Sequence, residues 1–209
     1  ERSNAFAEGT KNGWLVRRTD GSPYLVPWWQ GSGGLLDVTN PSALEWFFER
    51  LTRLQVQTGC DGFKFDAGEA CFLPSDAVTH QKIHPNEYTK IYVDAVAKHH
   101  RLTEVRSGWR NQAAPIFFRQ WDKTTSWGLD NGLHSVLTGA LAMSLAGYPF
   151  ILPDMVGGNE YDEKADADMM IRWTQLNALL PSMQFSLAPW DYGAESAELC
   201  RYFANLHVE

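Results

Sequence analysis

What this chain has little of narrows it first. Its 209 residues include three cysteines, an odd number, so at least one thiol is unpaired within the chain. Cys60 and Cys71 bracket a predicted strand and its following loop. An extended strand rises about 3.3 Å per residue, which keeps the two too far apart to bridge unless the loop doubles back. Basic residues do not cluster and the formal net charge is -7, which argues against a nucleic-acid partner. No apolar run is long enough to span a bilayer: the longest, around Leu141 to Leu152, is broken by Gly147 and Pro149 and reads as a buried helix plus a strand. Internal repeats and low-complexity segments are absent. So is the Gly-x-Ser-x-Gly elbow of the serine hydrolases. His80, His84, His99 and His100 lack zinc-site spacing and a third ligand. Gly31-Ser32-Gly33-Gly34 imitates a phosphate loop, but the next helix begins only near Pro41 and Asp37 intervenes. The chain opens at Glu1 without an initiator Met or signal-like segment and ends inside a helical pattern, so it reads as a piece of something longer.

What is present is a chain that is 44% hydrophobic, long enough for one domain with a sizeable core, and rich in tryptophan, with nine. Most of these rings belong in the core. Any left exposed beside carboxylates suit a sugar cleft, because the apolar faces of a pyranose stack on aromatic rings.

Short apolar strands that end in Gly, Asp or Arg alternate with amphipathic helices, the pattern of a parallel α/β sheet. The first clear strand is Tyr24 to Trp29, after a less regular lead-in over residues 1–23. A helix follows from Asn40-Pro41, an N-cap residue and a first-turn proline, with Leu44, Phe47, Leu51 and Leu54 along one face. Gly62 to Asp66 is the next strand, then a helix near Glu87 to His100, a strand Leu102 to Arg106 and another ending close to Trp127. A helix from about Leu133 carries Leu137, Ala140, Leu141 and Ser144 on one side. Strand Phe150 to Asp154, a helix aligning Met169, Trp173, Leu176 and Leu180, strand Ser182 to Ser186 and a helix over Glu195 to Leu206 complete the chain. No linker divides it. Polar residues fall repeatedly at the C-terminal ends of the strands, where barrels and doubly wound sheets both place their active sites.

The segment Asp61-Gly62-Phe63-Lys64-Phe65-Asp66-Ala67-Gly68-Glu69 says most about chemistry. Strand alternation sets Phe63 and Phe65 on one face and Lys64 and Asp66 on the other. A barrel strand turns its apolar face to the helices, so Lys64 and Asp66 point inward. An inward carboxylate is costly unless paired or used. Lys64 would favour the ionised form that a nucleophile needs; a purely structural Lys–Asp pair is the competing reading. In Thr124-Thr125-Ser126-Trp127-Gly128-Leu129-Asp130-Asn131, an Asp just past a strand beside Trp and Gly suits a general acid. The competing reading is that Asp130 or Asn131 caps the following helix.

A series of motifs in one order resembles the α-glycosidases of glycoside hydrolase family 31. Trp28-Trp29-Gln30-Gly31 and Asp37-Val38-Thr39-Asn40-Pro41 are similar to the family's Trp-x-Gly and Asp-Phe-Thr-Asn-Pro elements, and Asp61 to Asp66 to its nucleophile strand. Arg106-Ser107, Trp127-Gly128-Leu129-Asp130-Asn131, Pro149 to Gly158 with Asp154, and Ile171 to Leu176 resemble its later elements. The likeness covers nearly all of residues 24–190. The chain departs from the common α-glucosidases at Lys64, usually Trp, at Ala67-Gly68, usually Met-Asn, and at Gln184-Phe185-Ser186, usually Arg-Asn-His. There it resembles the myogenesis-regulating glycosidase subgroup, associated with α-galactoside cleavage.

The resemblance implies part of a (β/α)8 TIM barrel, about strands 3 to 8, with residues 1–209 as a partial catalytic domain. It implies retaining hydrolysis of an oligosaccharide or other glycoside by double displacement, with Asp66 as nucleophile and Asp130 as acid/base. Arg106 and Asp154 would bind sugar hydroxyls, Trp29 and Trp127 would wall the site, and Lys64 and Ser186 would choose the sugar. The sugar would be an α-galactoside, with an α-glucoside, an α-xyloside or a non-catalytic glycan-binding role as alternatives. No metal or organic cofactor is implied, oligomeric state is left open, and the compartment would be the secretory lumen or the extracellular space.

Overall fold

The computed structural model describes residues 3–100 and 102–209. The chain divides into two compact units, Glu1–Ile116 and Phe117–Glu209.

The first unit opens with helix α1 (Asn4–Lys11), capped by the Ser3 side chain, which accepts a hydrogen bond from the Phe6 N–H at 3.0 Å. This corrects the irregular lead-in expected over residues 1–23. Its one buried residue is Gly9, packed against Leu15, and the helix is only eight residues long, about two turns, too short a window for periodicity to declare it. Strand β1 (Leu25–Trp28) also departs from the expected parallel strand. It pairs antiparallel with β2 (Gly31–Gly34), with Trp28 opposite Gly31 across a tight turn. Alternation identifies a strand but says nothing of its partner.

Helix α2 (Pro41–Thr58) starts where the sequence places it. Asn40 accepts from the Ser42 N–H at 3.0 Å, and Gly59 ends the helix in the left-handed conformation. Its buried residues are Ala43 and Phe48, while Leu54 stays exposed. Just before it, the buried Asp37 accepts from the Thr39 N–H and hydroxyl and from the His80 N–H, at 3.0, 2.6 and 2.6 Å. One carboxylate thus ties two loops together. Strand β3 (Gly62–Phe65), helix α3 (Pro85–His99) and strand β4 (Leu102–Val105) follow, with β3 and β4 parallel and Lys64 opposite Glu104. The core of this unit gathers Val16, Val38, Leu73 and Tyr88.

The second unit holds β5 (Phe117–Arg119), α4 (Leu133–Leu145), β6 (Ile151–Leu152), β7 (Met155–Val156), α5 (Ala167–Asn177), β8 (Gln184–Phe185) and α6 (Ala194–Val208). β5 pairs parallel with β6, and β7 with β8. Two expectations shift. The strand placed near Trp127 lies at Phe117–Arg119, and Trp127 sits on the loop beyond it. Helix α4 buries Leu133, Val136 and Ala140, while Leu137 and Leu141 face outward. That helix is apolar nearly all round, so its period does not choose a face.

Leu133, Val136, Val156, Met169, Met170 and Trp173 form the core of this unit, with Leu176 and Leu180 packed on it. Trp173 is fully buried, and its indole N–H has no partner among the described residues. Trp173→Ala should therefore cost about 3–5 kcal/mol of stability through the cavity left behind. Trp173→Phe, which removes the unsatisfied donor along with some volume, should cost less than half of that. Denaturant melts of the protein carrying this chain check the order, and equal losses would refute it.

Candidate active site

Asp66 follows directly on the end of β3, where the strand stops and the chain turns. Its carboxylate is 41% exposed and lies 3.3 Å from the Arg106 guanidinium, which extends from the residue after β4. Arg106 is only 8% exposed. It also bonds through Nε to Glu69 Oε1 at 2.6 Å, a carboxylate that is itself 15% exposed. Three of the unit's charged groups thus meet at the ends of two neighbouring parallel strands. Lys64 takes another course: it points to Glu104 on β4 at 3.5 Å, while Arg106 faces Asp66.

The loop after Asp66 is held by backbone strain and by two hydroxyls. Ala67 has φ 61°, a left-handed conformation that a residue with a Cβ adopts only when its surroundings impose it. The Ala67 carbonyl accepts from Ser107 Oγ at 3.1 Å and the Gly68 carbonyl from Thr89 Oγ1 at 2.7 Å, which fixes the loop to the end of β4 and to α3. Gly68, at φ 89°, leaves no room for a side chain, since an added Cβ would lie 2.4 Å from the Tyr92 ring. Tyr92 lies close over the loop and donates to the Asp66 carbonyl at 3.5 Å. Burial, with smaller contributions from Tyr88, Asp66 and Glu69, pushes its phenol well above the ordinary tyrosine range. Tyr92 therefore stays neutral beside the carboxylates.

A cavity of about 370 Å³ borders these groups, and Trp28, Asp66, Glu69, Phe72 and Tyr92 are among its lining residues. Trp29 stacks on Trp28 at 4.3 Å between ring centroids, and Trp28 meets Phe72 at 4.6 Å. The exposed Trp29 ring also lies 5.7 Å from the Arg106 guanidinium, within reach of a cation–π attraction. The β1–β2 hairpin thus brings an aromatic wall to the carboxylates, Trp29 among them as the sequence proposes.

In the second unit the charges collect at the ends of β5 and β6. Arg119, the last residue of β5, shares Nη1 between Asp122 at 2.9 Å and Asp154 at 3.1 Å. Asp154 is fully buried, and its other oxygen accepts from the Lys123 N–H at 2.8 Å and from Asn159 Nδ2 at 2.9 Å. Both oxygens of the carboxylate predicted to grip a sugar are therefore engaged by protein donors. Asp122, whose side chain is 31% exposed, also accepts from the Tyr161 hydroxyl at 2.8 Å. Loss of water around that hydroxyl and the hydrogen bond it gives push the Tyr161 phenol up to about 12, although most of the ring is exposed. Asp122 escaped the sequence reading, which stopped at the next motif. The signal available was a carboxylate three residues past a strand that ends in Arg.

Asp130 lies on the exposed loop before α4, next to the exposed Leu129, and no hydrogen bond or ion pair engages its carboxylate among the described residues. Trp127 is exposed on the same loop, and its neighbours Thr124 and Ser126 both donate to the Asn131 carbonyl. Ser186 is exposed just past β8, on a groove of about 640 Å³ with Trp190 and Arg201. The structure thus gathers Asp66, Arg106 and Trp29 in one unit and sets Lys64 aside toward Glu104. In the other it buries Asp154 and leaves Trp127, Asp130 and Ser186 on the surface. Among the described residues no group of three His, Cys, Asp or Glu side chains is arranged to hold a metal ion.

The whole of residues 1–209 matches the glycosyl hydrolases family 31 TIM-barrel domain. The chain belongs to this family. It is 40% identical to the myogenesis-regulating glycosidase of Mus musculus, over 99% of this chain and 30% of that protein. It is 28% identical to a sulfoquinovosidase of Escherichia coli strain K12, over 85% of this chain and 28% of that one. Among solved structures, a family 31 sulfoquinovosidase from E. rectale in complex with an aza-sugar inhibitor superimposes with a TM-score of 0.82 at 23% identity, covering 98% of this chain and 34% of that one. The chain spans less than a third of the length of the curated relatives it matches here. Membership in family 31 accounts for the parallel strands with polar residues at their C-terminal ends.

The packing of this family 31 loop leaves Gly68 little room for change. Gly68→Ala meets both a left-handed backbone and the Tyr92 ring, so it should destabilise the protein by about 2 kcal/mol or more. It should also displace Asp66 enough to cut activity by about 100-fold, a sensitivity expected for reacting groups moved by about 1 Å. Thermal melting and initial rates measure both, and wild-type values for the two would refute the packing argument.

Proposed function

We propose that the protein carrying this chain is a retaining α-glycoside hydrolase in which Asp66 is the nucleophile. The observation that carries this reading is the Asp66 carboxylate at a strand's C-terminal end, part-exposed beside an aromatic-walled cavity and faced at 3.3 Å by Arg106. Arg106 orients the carboxylate for attack while its exposure leaves it open to a substrate. Asp66 attacks the anomeric carbon as an acid protonates the departing oxygen. The resulting glycosyl ester is then cleaved by water, from which the same group, now a base, takes a proton. Trp29 walls the sugar beside Asp66, and Arg106 binds its hydroxyls. Asp154, with both oxygens engaged, serves to hold Arg119 and the neighbouring loop.

Two carboxylates stand for the acid/base. The motif favours Asp130. Asp122, three residues past the end of β5 and held by Arg119 and Tyr161, is the alternative. Asp66→Asn should lower turnover by about 1,000-fold or more. Asp130→Ala should slow substrates with poor leaving groups by about 10²–10⁴-fold, spare activated aryl glycosides and recover with added azide. If Asp122→Ala shows the leaving-group pattern instead, Asp122 is the acid/base and Asp130 is not.

For the sugar we favour an α-galactoside, on Lys64, Ala67-Gly68 and Ser186, where the chain parts from the common α-glucosidases. A site that hydrogen-bonds one hydroxyl epimer rejects the other because buried partners are left unpaired. Aryl α-galactoside should exceed aryl α-glucoside, α-xyloside and α-sulfoquinovoside by about 10-fold or more in kcat/KM. Comparable values for any pair would refute the choice. On the same resemblance we place the protein in the secretory lumen or outside the cell.

A further inference from the structure

The Arg106 guanidinium is used twice, and the two uses are unequal. Its Nε bond to Glu69 is short, at 2.6 Å, and shielded from water, whereas its Nη1 contact with Asp66 is longer, at 3.3 Å, and reaches a part-exposed partner. A guanidinium is a rigid planar fork, so fixing Nε fixes where the remaining N–H groups point. Glu69 stands three residues after Asp66, past the left-handed Ala67 and the crowded Gly68, so the loop that places the nucleophile also places the group that aims its cation. The second Glu69 oxygen is buried without a hydrogen-bond partner among the described residues. Such an oxygen carries a desolvation cost that only the ion pair with Arg106 offsets. Nothing in the proposed chemistry has yet used this carboxylate.

We infer that Glu69 is a positioning residue for the nucleophile: it anchors Arg106 through Nε and so aims the guanidinium at Asp66. The inference rests on Asp66 being the nucleophile. Within this unit, Arg106 from the end of β4, Glu69 from its own loop and Tyr92 from α3 lie around Asp66. Lys64 on β3 is drawn to Glu104. Glu69 therefore acts on Asp66 in two opposed ways. As an anchor it keeps a cation near Asp66 and favours the ionised form. As a second negative charge it disfavours that form.

Two substitutions separate these effects. Glu69→Ala removes the anchor, Arg106 is released, and the pKa of Asp66 rises. Glu69→Gln keeps an acceptor for Nε but removes the negative charge, so the pKa of Asp66 falls. The measurement is the pH dependence of covalent trapping of Asp66 by an activated fluorosugar, in the full-length protein. Fluoride needs little protonation to depart, so the acidic limb reports the nucleophile alone. Glu69→Ala should trap about 10–100-fold more slowly and move the acidic midpoint up by about one pH unit. Glu69→Gln should trap within about 10-fold of wild type and move the midpoint down. Glu69→Asp, with the charge restored on a shorter arm, should recover part of the rate lost in the alanine variant.

A purely structural Glu69 would lower melting temperature and rate without moving the limb, and unmoved midpoints in both variants would overturn the inference. So would midpoints that move in the same direction. If the alanine variant fails to fold, a downward shift in Glu69→Gln with trapping slower than wild type in Glu69→Asp, whose shorter arm loosens Arg106, still supports it, and no shift in Glu69→Gln still overturns it. Wild-type protein labelled on a residue other than Asp66, or not labelled at all, overturns the nucleophile assignment and this inference with it.

Discussion

The guanidinium of Arg106 between Asp66 and Glu69 is the interaction on which the first unit's charged cluster depends. Three charges at two adjacent strand ends are costly to desolvate, and they persist only because each has an opposite partner at short range. The surrounding loop follows from that requirement. Ala67 turns left-handed, Gly68 has no side chain, and Ser107 and Thr89 hold the two carbonyls between Asp66 and Glu69, so that both carboxylates face one cation.

The second unit repeats the arrangement with different residues. Arg119 ends β5 as Arg106 follows β4, and it too is shared by two carboxylates, Asp122 and Asp154. In each pair one acid is the more buried and one reaches solvent. Glu69 and Asp154 are the shielded members, Asp66 and Asp122 the open ones. The shielded acid orders the arginine, and the arginine orders the acid that meets solvent. Arginine suits this use because its fork binds two partners in fixed directions.

Much of this was legible in the residues. Asn40-Pro41 announces α2 because capping is local chemistry, and Gly62 to Asp66 announces a strand with a carboxylate at its end because alternation is local geometry. Partnerships were less legible. Tyr24 to Trp29 alternates like any strand, and nothing in it says that Gly31 to Gly34 will fold back on it. Lys64 lies one step from Asp66 on the same face, yet the parallel register offers it Glu104 across the strand. Helix α4 hid its buried face because apolar residues surround it. Asp122 was passed over because an arginine and a tyrosine 39 residues further on give it its setting, and neither is visible from the motif. Family resemblance singled out Asp66 and Asp130, whereas Asp122 entered only with the coordinates.

Ala67 and Asp154 share an uncommon property: each is a residue with a Cβ held at positive φ, at 61° and 68°, within two residues of a strand end. Such conformations cost on the order of 1–3 kcal/mol each, and the rest of the molecule must supply that energy. They make the two charged clusters the places where stability and activity pull in opposite directions. Selection for heat resistance alone would relax these turns first, and it would do so at the expense of the geometry that holds the carboxylates. The tolerance of this chain to mutation elsewhere is therefore limited by strain stored at its strand ends.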